Sequence, residues 1–288
     1  MDRKKVMITD LQNKKREGAK FTMLTAYDYP TARIVDDAGI DAILVGDSLG
    51  MVVLGYDSTV PVTMDEMIHH AKAARRGTKY ALLIGDMPFG SYQISKEESI
   101  RNAARFMKEA GCDAVKLEGG DEVVEVTKAI VDAGIPVLGH LGLTPQTISK
   151  LGGYKVQGKT ADAAKSMLDQ ALKLERAGCF AIVLECVPGP VAKMITEKLS
   201  IPTVGIGAGA DCDGQVLVTN DMIGIFDRFV PKFVKQYIKL APMMLEAFKK
   251  YKDEVEKGYY PDDEHSFTIK EEELDKLKAR NSKPEGRK

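Results

Sequence analysis

The chain has 288 residues, 44 % of them hydrophobic, with a formal net charge of -1. That is enough apolar material for one large core, and the balanced charge gives no field for nucleic acid or an anionic membrane. Four cysteines, Cys112, Cys179, Cys186 and Cys212, form no CxxC pair and read as small buried residues in a reducing, cytoplasmic setting. Met1 to Met7 is basic, but no apolar run longer than Val6-Met7-Ile8 follows, so neither a signal peptide nor a membrane span is expected.

Thr9-Asp10-Leu11-Gln12 reads as a capping box opening a short helix that stops at Gly18. This helix is expected to plug or flank the lower end of the fold. A repeated unit follows the first strand. Ala38-Gly39-Ile40, Ala110-Gly111-Cys112, Ala133-Gly134-Ile135 and Ala177-Gly178-Cys179 each end a helical pattern on glycine and start an apolar strand at once. Strands are expected at 21–27, 40–47, 80–87, 112–118, 135–140, 179–186, 201–206 and 232–237. The helices between them start at Thr63 with Glu66, at Ser95 with Glu98, at Asp121 and at Thr160. Serial βα units of this number predict a (β/α)8 TIM barrel over residues 1–267. A doubly wound sheet fits less well, because the first βα turn, Tyr27-Asp28-Tyr29-Pro30, has no glycine. Two strand-to-helix loops are long, Ser48 to Val62 and Leu141 to Lys159 with Tyr154, and read as walls or lids of a site. Residues 268–288 form a charged tail, read as a frayed helix with a disordered end.

Active sites of such barrels gather at the C-terminal ends of the strands. Asp47 ends the second predicted strand, Asp86 the third and Glu118 the fourth. Any one of them could be a helix cap. Three on neighbouring strands repel one another unless a cation intervenes, and all-oxygen ligands suit Mg2+. Lys116 lies two residues before Glu118 and so shares its strand face, pointing inward to meet an anion unless the register is off by one. Glu185 ends the sixth strand among Ile182, Val183, Leu184 and Val187. An isolated carboxylate there is a candidate general base, with a fourth ligand or a structural salt bridge as the competing readings. His140 could relay a proton, donate a hydrogen bond to substrate, or simply pack. Gly205-Ile206-Gly207-Ala208-Gly209 is a weak match to a nucleotide loop and reads better as close backbone packing, although a phosphate site remains open.

The segments Thr25-Ala26-Tyr27-Asp28-Tyr29, Val45-Gly46-Asp47-Ser48-Leu49-Gly50-Met51, Gly139-His140-Leu141-Gly142-Leu143-Thr144-Pro145-Gln146 and Leu184-Glu185-Cys186-Val187-Pro188 resemble ketopantoate hydroxymethyltransferase. So do Asp57-Ser58-Thr59-Val60-Pro61-Val62-Thr63 and Gly152-Gly153-Tyr154-Lys155-Val156-Gln157-Gly158. The likeness runs from about Thr9 to Phe267. It implies a barrel of the phosphoenolpyruvate mutase/isocitrate lyase kind and transfer of a hydroxymethyl group from 5,10-methylenetetrahydrofolate to 3-methyl-2-oxobutanoate. The product, 2-dehydropantoate, belongs to pantothenate biosynthesis. Further implications are Mg2+ at Asp47, Asp86 and Glu118, contacts to the oxo acid from Asp47, Ser48, Asp86 and Lys116, an enolate stabilised by the metal, and Glu185 as proton acceptor; His140 is added as a candidate substrate contact from its place at the end of the fifth strand alone. A homodecamer without nucleic-acid or membrane partners is implied as well. The nearest alternative is a Mg2+-dependent lyase or mutase of an oxo acid or a phosphoenolpyruvate-like substrate. Against it stand the lack of a cysteine on a mobile mouth loop and the scarcity of arginine near the strand ends. A catalytically dead binding module is the other alternative, and it fits poorly because every candidate group is present.

Overall fold

The computed structural model describes residues 3–147, 153, 155–226 and 228–281. Eight parallel strands close in sequence order into a barrel. They are β1 (Phe21–Thr25), β2 (Ala42–Val45), β3 (Leu82–Asp86), β4 (Ala114–Lys116), β5 (Val137–Gly142), β6 (Ala181–Glu185), β7 (Thr203–Ile206) and β8 (Gly214–Leu217). The helices outside it are α2 (Tyr29–Asp37), α4 (Met64–Gly77), α5 (Lys96–Ala110), α6 (Val124–Asp132), α7 (Ala161–Arg176) and α8 (Gly189–Lys198), with short turns α3 (Leu49–Val52) and α9 (Thr219–Met222). Thr63, Ser95 and Thr160 cap their helices as expected. Asp121 does not: it opens a 3-10 turn, and its carboxylate instead meets Lys173 at 2.7 Å.

The predicted eighth strand, 232–237, is not a strand; closure is made by Gly214–Leu217. Phe21 explains why that strand begins with glycine. Its ring sits where a Cβ on Gly214 would lie, 2.5 Å away, so only glycine lets β8 pair with β1 there.

Strand side chains fill two layers. Met23, Leu44, Ile84, Leu138, Val183, Val204 and Val216 pack inside the barrel, while Ile43, Leu83, Val115, Ile182 and Leu184 pack outward against the helices. Burial on both faces accounts for the continuous apolar runs. The first helix, α1 (Ile8–Glu17), closes the bottom by placing Leu11 in the inner layer. Its start lies two residues before the expected cap at Thr9. Met7 is the cap, and the Asp10 carboxylate accepts the Met7 N–H at 2.8 Å; Gly18 ends the helix in the left-handed region at φ +69°.

Around α1 the lower rim is stapled three times. Lys14 meets Asp41 at 2.5 Å, Lys5 meets Asp113 at 2.6 Å and Lys15 meets Asp213 at 2.9 Å. Each aspartate also accepts a backbone N–H from a neighbouring strand, from Thr22, Leu83 and Thr203 respectively.

By internal contacts the chain divides into two units, Met1–Ile238 and Lys239–Lys288. The compositional break expected near residue 268 falls inside the second unit. That unit carries α10 (Leu240–Glu256) and α11 (Glu271–Asn281), neither with a buried residue. The helix expected in the tail spans Glu271–Asn281, and the residues beyond lie outside the described ones.

Candidate active site

The strand register brings the polar ends of β2, β3 and β4 to one level at the upper mouth. Val45 is paired with Gly85, and Asp86 with Lys116. Asp47 follows β2 by two residues and Glu118 follows β4 by two. Each of Asp47, Asp86 and Glu118 offers an oxygen within 4.8 Å of the others, and all three are buried. Gly46 keeps this turn close: a Cβ there would lie 2.9 Å from Ser48 Oγ and displace that hydroxyl.

Lys116 points inward, as its period with Glu118 demands. Its Nζ donates to Asp86 Oδ1 at 2.7 Å and Oδ2 at 2.8 Å, and to Glu118 Oε1 at 3.3 Å. Burial would discharge the lysine, but Asp86, Glu118 and Asp47 outweigh it and hold the ammonium charged. Burial, then the charges of Asp86 and Glu118, push the Asp47 carboxyl well above its ordinary range. Burial also raises Asp86, against the pull of Lys116. At Glu118 burial is outweighed by Lys116 and His140, and the carboxyl is held below its ordinary range. Three buried carboxyls face one lysine and, beside Glu118, the His140 ring, so acidic groups outnumber cations in the pocket. A divalent, oxygen-seeking cation fits that donor set, and the triad can hold one.

His140, from β5, stands between this cluster and Glu185 at the end of β6. Its Nδ1 lies 3.3 Å from Glu118 Oε1 and its Nε2 3.4 Å from Glu185 Oε2. These are ion-pair distances that miss hydrogen-bond geometry, so both ring nitrogens lack a hydrogen-bond partner among the described residues. Burial opposes a charged ring, but the Glu118 and Glu185 carboxylates prevail and lift its pKa to about 9. Glu185 is therefore not the isolated carboxylate expected from its apolar neighbours. It is the outer member of a Glu118–His140–Glu185 row. Directly after it Cys186 adopts φ +50°, a left-handed conformation uncommon outside glycine, which turns the chain away and leaves the Glu185 side chain partly open to the cavity.

Several groups at this site carried no chemical signal in the sequence. Gln146 Nε2 donates to Asp47 Oδ2 at 2.9 Å, and its backbone N–H donates to Glu118 Oε2 at 3.1 Å. Tyr92 orients Gln146, with Oη 2.7 Å from Gln146 Oε1, and accepts the Glu118 N–H at 3.1 Å. Tyr27 Oη lies 2.9 Å from Ser48 Oγ. Gln146 falls inside a segment quoted for its resemblance, and that was its one available signal. Gly205–Gly209 proves to be packing, as expected: Gly207 abuts Phe233 and Gly209 abuts Gly189.

All seven residues singled out from the sequence, Asp47, Ser48, Asp86, Lys116, Glu118, His140 and Glu185, line one cavity of about 380 Å³. Its upper walls are apolar, with Met51, Val52 and Leu143 among them. The buried Thr59 hydroxyl also lines it and has no hydrogen-bond partner among the described residues. Of the second long loop, Lys155 and Val156 reach the cavity, whereas Tyr154 lies outside the described residues.

Residues 5–263 match the family model for ketopantoate hydroxymethyltransferase. The chain belongs to the ketopantoate hydroxymethyltransferase family. It is therefore an enzyme of the hydroxymethyltransferase class. Among curated relatives, 3-methyl-2-oxobutanoate hydroxymethyltransferase of Syntrophomonas wolfei subsp. wolfei is 59 % identical over 273 residues, covering 95 % of this chain and 99 % of the relative. The enzyme of the same name from Heliobacterium modesticaldum is also 59 % identical, over 93 % of this chain and 98 % of the relative. Among solved structures, a phosphonopyruvate hydrolase in complex with oxalate and Mg++ superposes with a TM-score of 0.59 at 12 % identity, covering 97 % of this chain and 99 % of the other. 2,3-Dimethylmalate lyase, described as a PEP mutase/isocitrate lyase superfamily member, superposes with a TM-score of 0.56 at 14 % identity, over 96 % and 98 %. At that identity the two structures establish a shared fold. No helix among the described residues is long and apolar enough to cross a membrane.

Proposed function

We propose that the enzyme transfers a hydroxymethyl group from 5,10-methylenetetrahydrofolate to 3-methyl-2-oxobutanoate, giving 2-dehydropantoate for pantothenate biosynthesis. The observation that carries this reading is the close convergence of Asp47, Asp86 and Glu118 beside Lys116, with Glu185 across His140. Asp47, Asp86 and Glu118 would hold Mg2+. When bound, that ion supplies Lewis acidity toward the carboxylate and keto oxygens of a 2-oxo acid. Lys116, fixed by Asp86, supplies positive charge to the anionic substrate. Ser48, held by Tyr27, supplies a hydroxyl to it, and Asp86 forms the floor against which it rests. Glu185 takes the proton from C3 of the oxo acid, generating the carbon nucleophile that forms the new C–C bond to the one-carbon unit; both folate C–N bonds to that carbon break, one water supplies the hydroxyl oxygen, and the folate nitrogens leave protonated as tetrahydrofolate. His140 orients Glu185 and faces the substrate from the β5 side. The apolar walls limit water around the nucleophile. Gln146 keeps Asp47 and Glu118 in place, so that the ligand oxygens are positioned before the ion arrives.

The test is direct product formation. Purified enzyme given 3-methyl-2-oxobutanoate, 5,10-methylenetetrahydrofolate and Mg2+ should release 2-dehydropantoate and tetrahydrofolate. Turnover of a phosphoenolpyruvate-like or 2-hydroxy diacid substrate, without folate-dependent product, would replace this reading by the lyase or mutase one. We also propose the homodecamer that the family resemblance implies. Helix α10 supports assembly, because Met243, Leu245, Phe248 and Tyr251 are all more than half exposed in one protomer. Sedimentation velocity should show a single large species, and a monomer peak would overturn it.

A further inference from the structure

One carboxylate in the cavity takes no part in the chemistry above. Asp221, on α9, lines the cavity and is only 9 % exposed. Among the described residues its side chain meets no hydrogen-bond donor and no cation, and burial alone lifts its pKa to about 6. The other deeply placed carboxylates of the cavity all have partners: Asp47 has Gln146, Asp86 has Lys116, and Glu118 has Lys116 and Gln146. A carboxylate that is largely withdrawn from solvent, has no donor among the described residues and opens only into the cavity is poorly compensated, so its natural complement is a ligand that brings donors.

The carboxylate is also held still. Thr219 ties the start of α9 to the end of β1, its N–H donating to Thr25 Oγ1 at 3.0 Å and its hydroxyl to the Thr25 carbonyl at 2.5 Å. Asn220 Nδ2 donates to the Val52 carbonyl at 3.4 Å. The neighbouring lining is apolar, with Val52, Val218 and Phe226. Tyr27 links this region to the chemistry: it bonds Ser48, and its hydroxyl is raised by burial and then by the charges of Asp221 and Asp47. At the exposed edge of the same cavity lie Lys155 and Lys232, neither of which forms an ion pair among the described residues. The cavity thus offers a buried acceptor pair between apolar walls and two free cations nearer solvent. A matching ligand has a flat head with paired N–H donors and an anionic tail.

Resting on the folate reading given above, we propose that Asp221 anchors the pterin head of the folate co-substrate. Its two oxygens accept from the ring N3–H and the 2-amino group, which present parallel donors at carboxylate spacing, as a guanidinium does. The glutamate carboxylates of the folate then lie toward Lys155 and Lys232. This assigns the folate to the α9 side of the cavity, with Tyr27 and Ser48 between it and the oxo-acid site.

The experiment compares tetrahydrofolate with an analogue in which hydrogen replaces the 2-amino group, each titrated calorimetrically into the Mg2+-loaded full-length enzyme and into Asp221→Asn. The wild-type enzyme should bind tetrahydrofolate about 10- to 100-fold more tightly than the analogue. Asp221→Asn should lose most of that preference, with a matching loss for tetrahydrofolate. Equal binding of the two ligands by the wild type, a comparison that needs no variant, would overturn the proposal. So would full discrimination retained by Asp221→Asn. Binding of the oxo acid without any binding of tetrahydrofolate by the wild type would overturn the folate reading itself, and this assignment with it.

Discussion

At the lower end of the barrel Asp41, Asp113 and Asp213 each have a lysine of their own, at 2.5, 2.6 and 2.9 Å. At the upper end Asp47, Asp86 and Glu118 crowd around Lys116, with the His140 ring beside Glu118 as a further cation. The residue types are the same, and the stoichiometry and the solvent differ. The lower carboxylates stand at the edge of solvent, each matched by a lysine, Asp113 by Arg75 at 3.9 Å as well, and bonded to strand N–H groups, so their charges are settled by the fold itself. The upper ones are buried and outnumber their cations. Their charge is left for something else to settle, and that is how a stabilising motif becomes a binding site. The comparison predicts that substitutions above will be felt in ligand binding and turnover, and substitutions below in stability.

The largest effect is expected at Glu118. Glu118→Ala removes one of the three carboxylates proposed to hold the metal and leaves His140 and Lys116 without their shared partner. Mn2+ or Mg2+ affinity, measured by calorimetry, should fall by about 100-fold or more, and product formation with it. Metal affinity equal to wild type would remove Glu118 from the ligand set. Gln146→Ala should be milder, weakening metal affinity by about 10- to 100-fold, because Gln146 holds two ligands without being one. At the lower rim Lys15→Met should cost about 1–2 kcal/mol of stability, the pair with Asp213 being partly buried. Its kcat should match wild type. A large loss of kcat in Lys15→Met, with unchanged melting temperature, would break the comparison.

The smallest effect concerns Asp221. Its pKa in the folded protein, about 6, lies above the ordinary carboxylate value, so the native state binds the proton more tightly than the unfolded chain does. Stability contributed at this position is therefore lost as pH rises from about 4 through about 6. Asp221→Asn, which cannot ionise, should gain in melting temperature relative to wild type as pH is raised from 5 to 8. No change in that difference would mean that Asp221 finds a partner when the co-substrate is absent.

Much of this was legible in the residues, for identifiable reasons. Strands buried on both faces announce themselves as apolar runs, and Ala-Gly pairs mark where helices stop. The polar residue at the tip of such a run is therefore near the mouth, which is why Asp47, Asp86, Glu118 and Glu185 could be assigned to it. Strand β8 escaped because it is short and opens on a glycine, with the exposed Gln215 interrupting its apolar run. The segment Lys232–Tyr237 imitated a strand through Phe233 and Val234, yet Phe233 packs on Gly207. Gln146, Tyr92 and Asp221 escaped for a different reason. They come from loops and a single helical turn, where no period places a side chain; the roles of Gln146 and Tyr92 exist only once β3, β4 and β5 are side by side, and that of Asp221 only once α9 is tied to the end of β1. The pairing of His140 with both Glu118 and Glu185 is likewise a product of register, since the three sit on three strands.

The central claim is that the upper rim activates an oxo acid with Glu185 as the base. The most direct measurement follows the C3 proton of 3-methyl-2-oxobutanoate by NMR in D2O, without folate. With Mg2+ the wild-type enzyme should exchange that proton, chelator should abolish the exchange, and Glu185→Gln should slow it by about 100-fold or more. Exchange by Glu185→Gln at the wild-type rate would contradict the account.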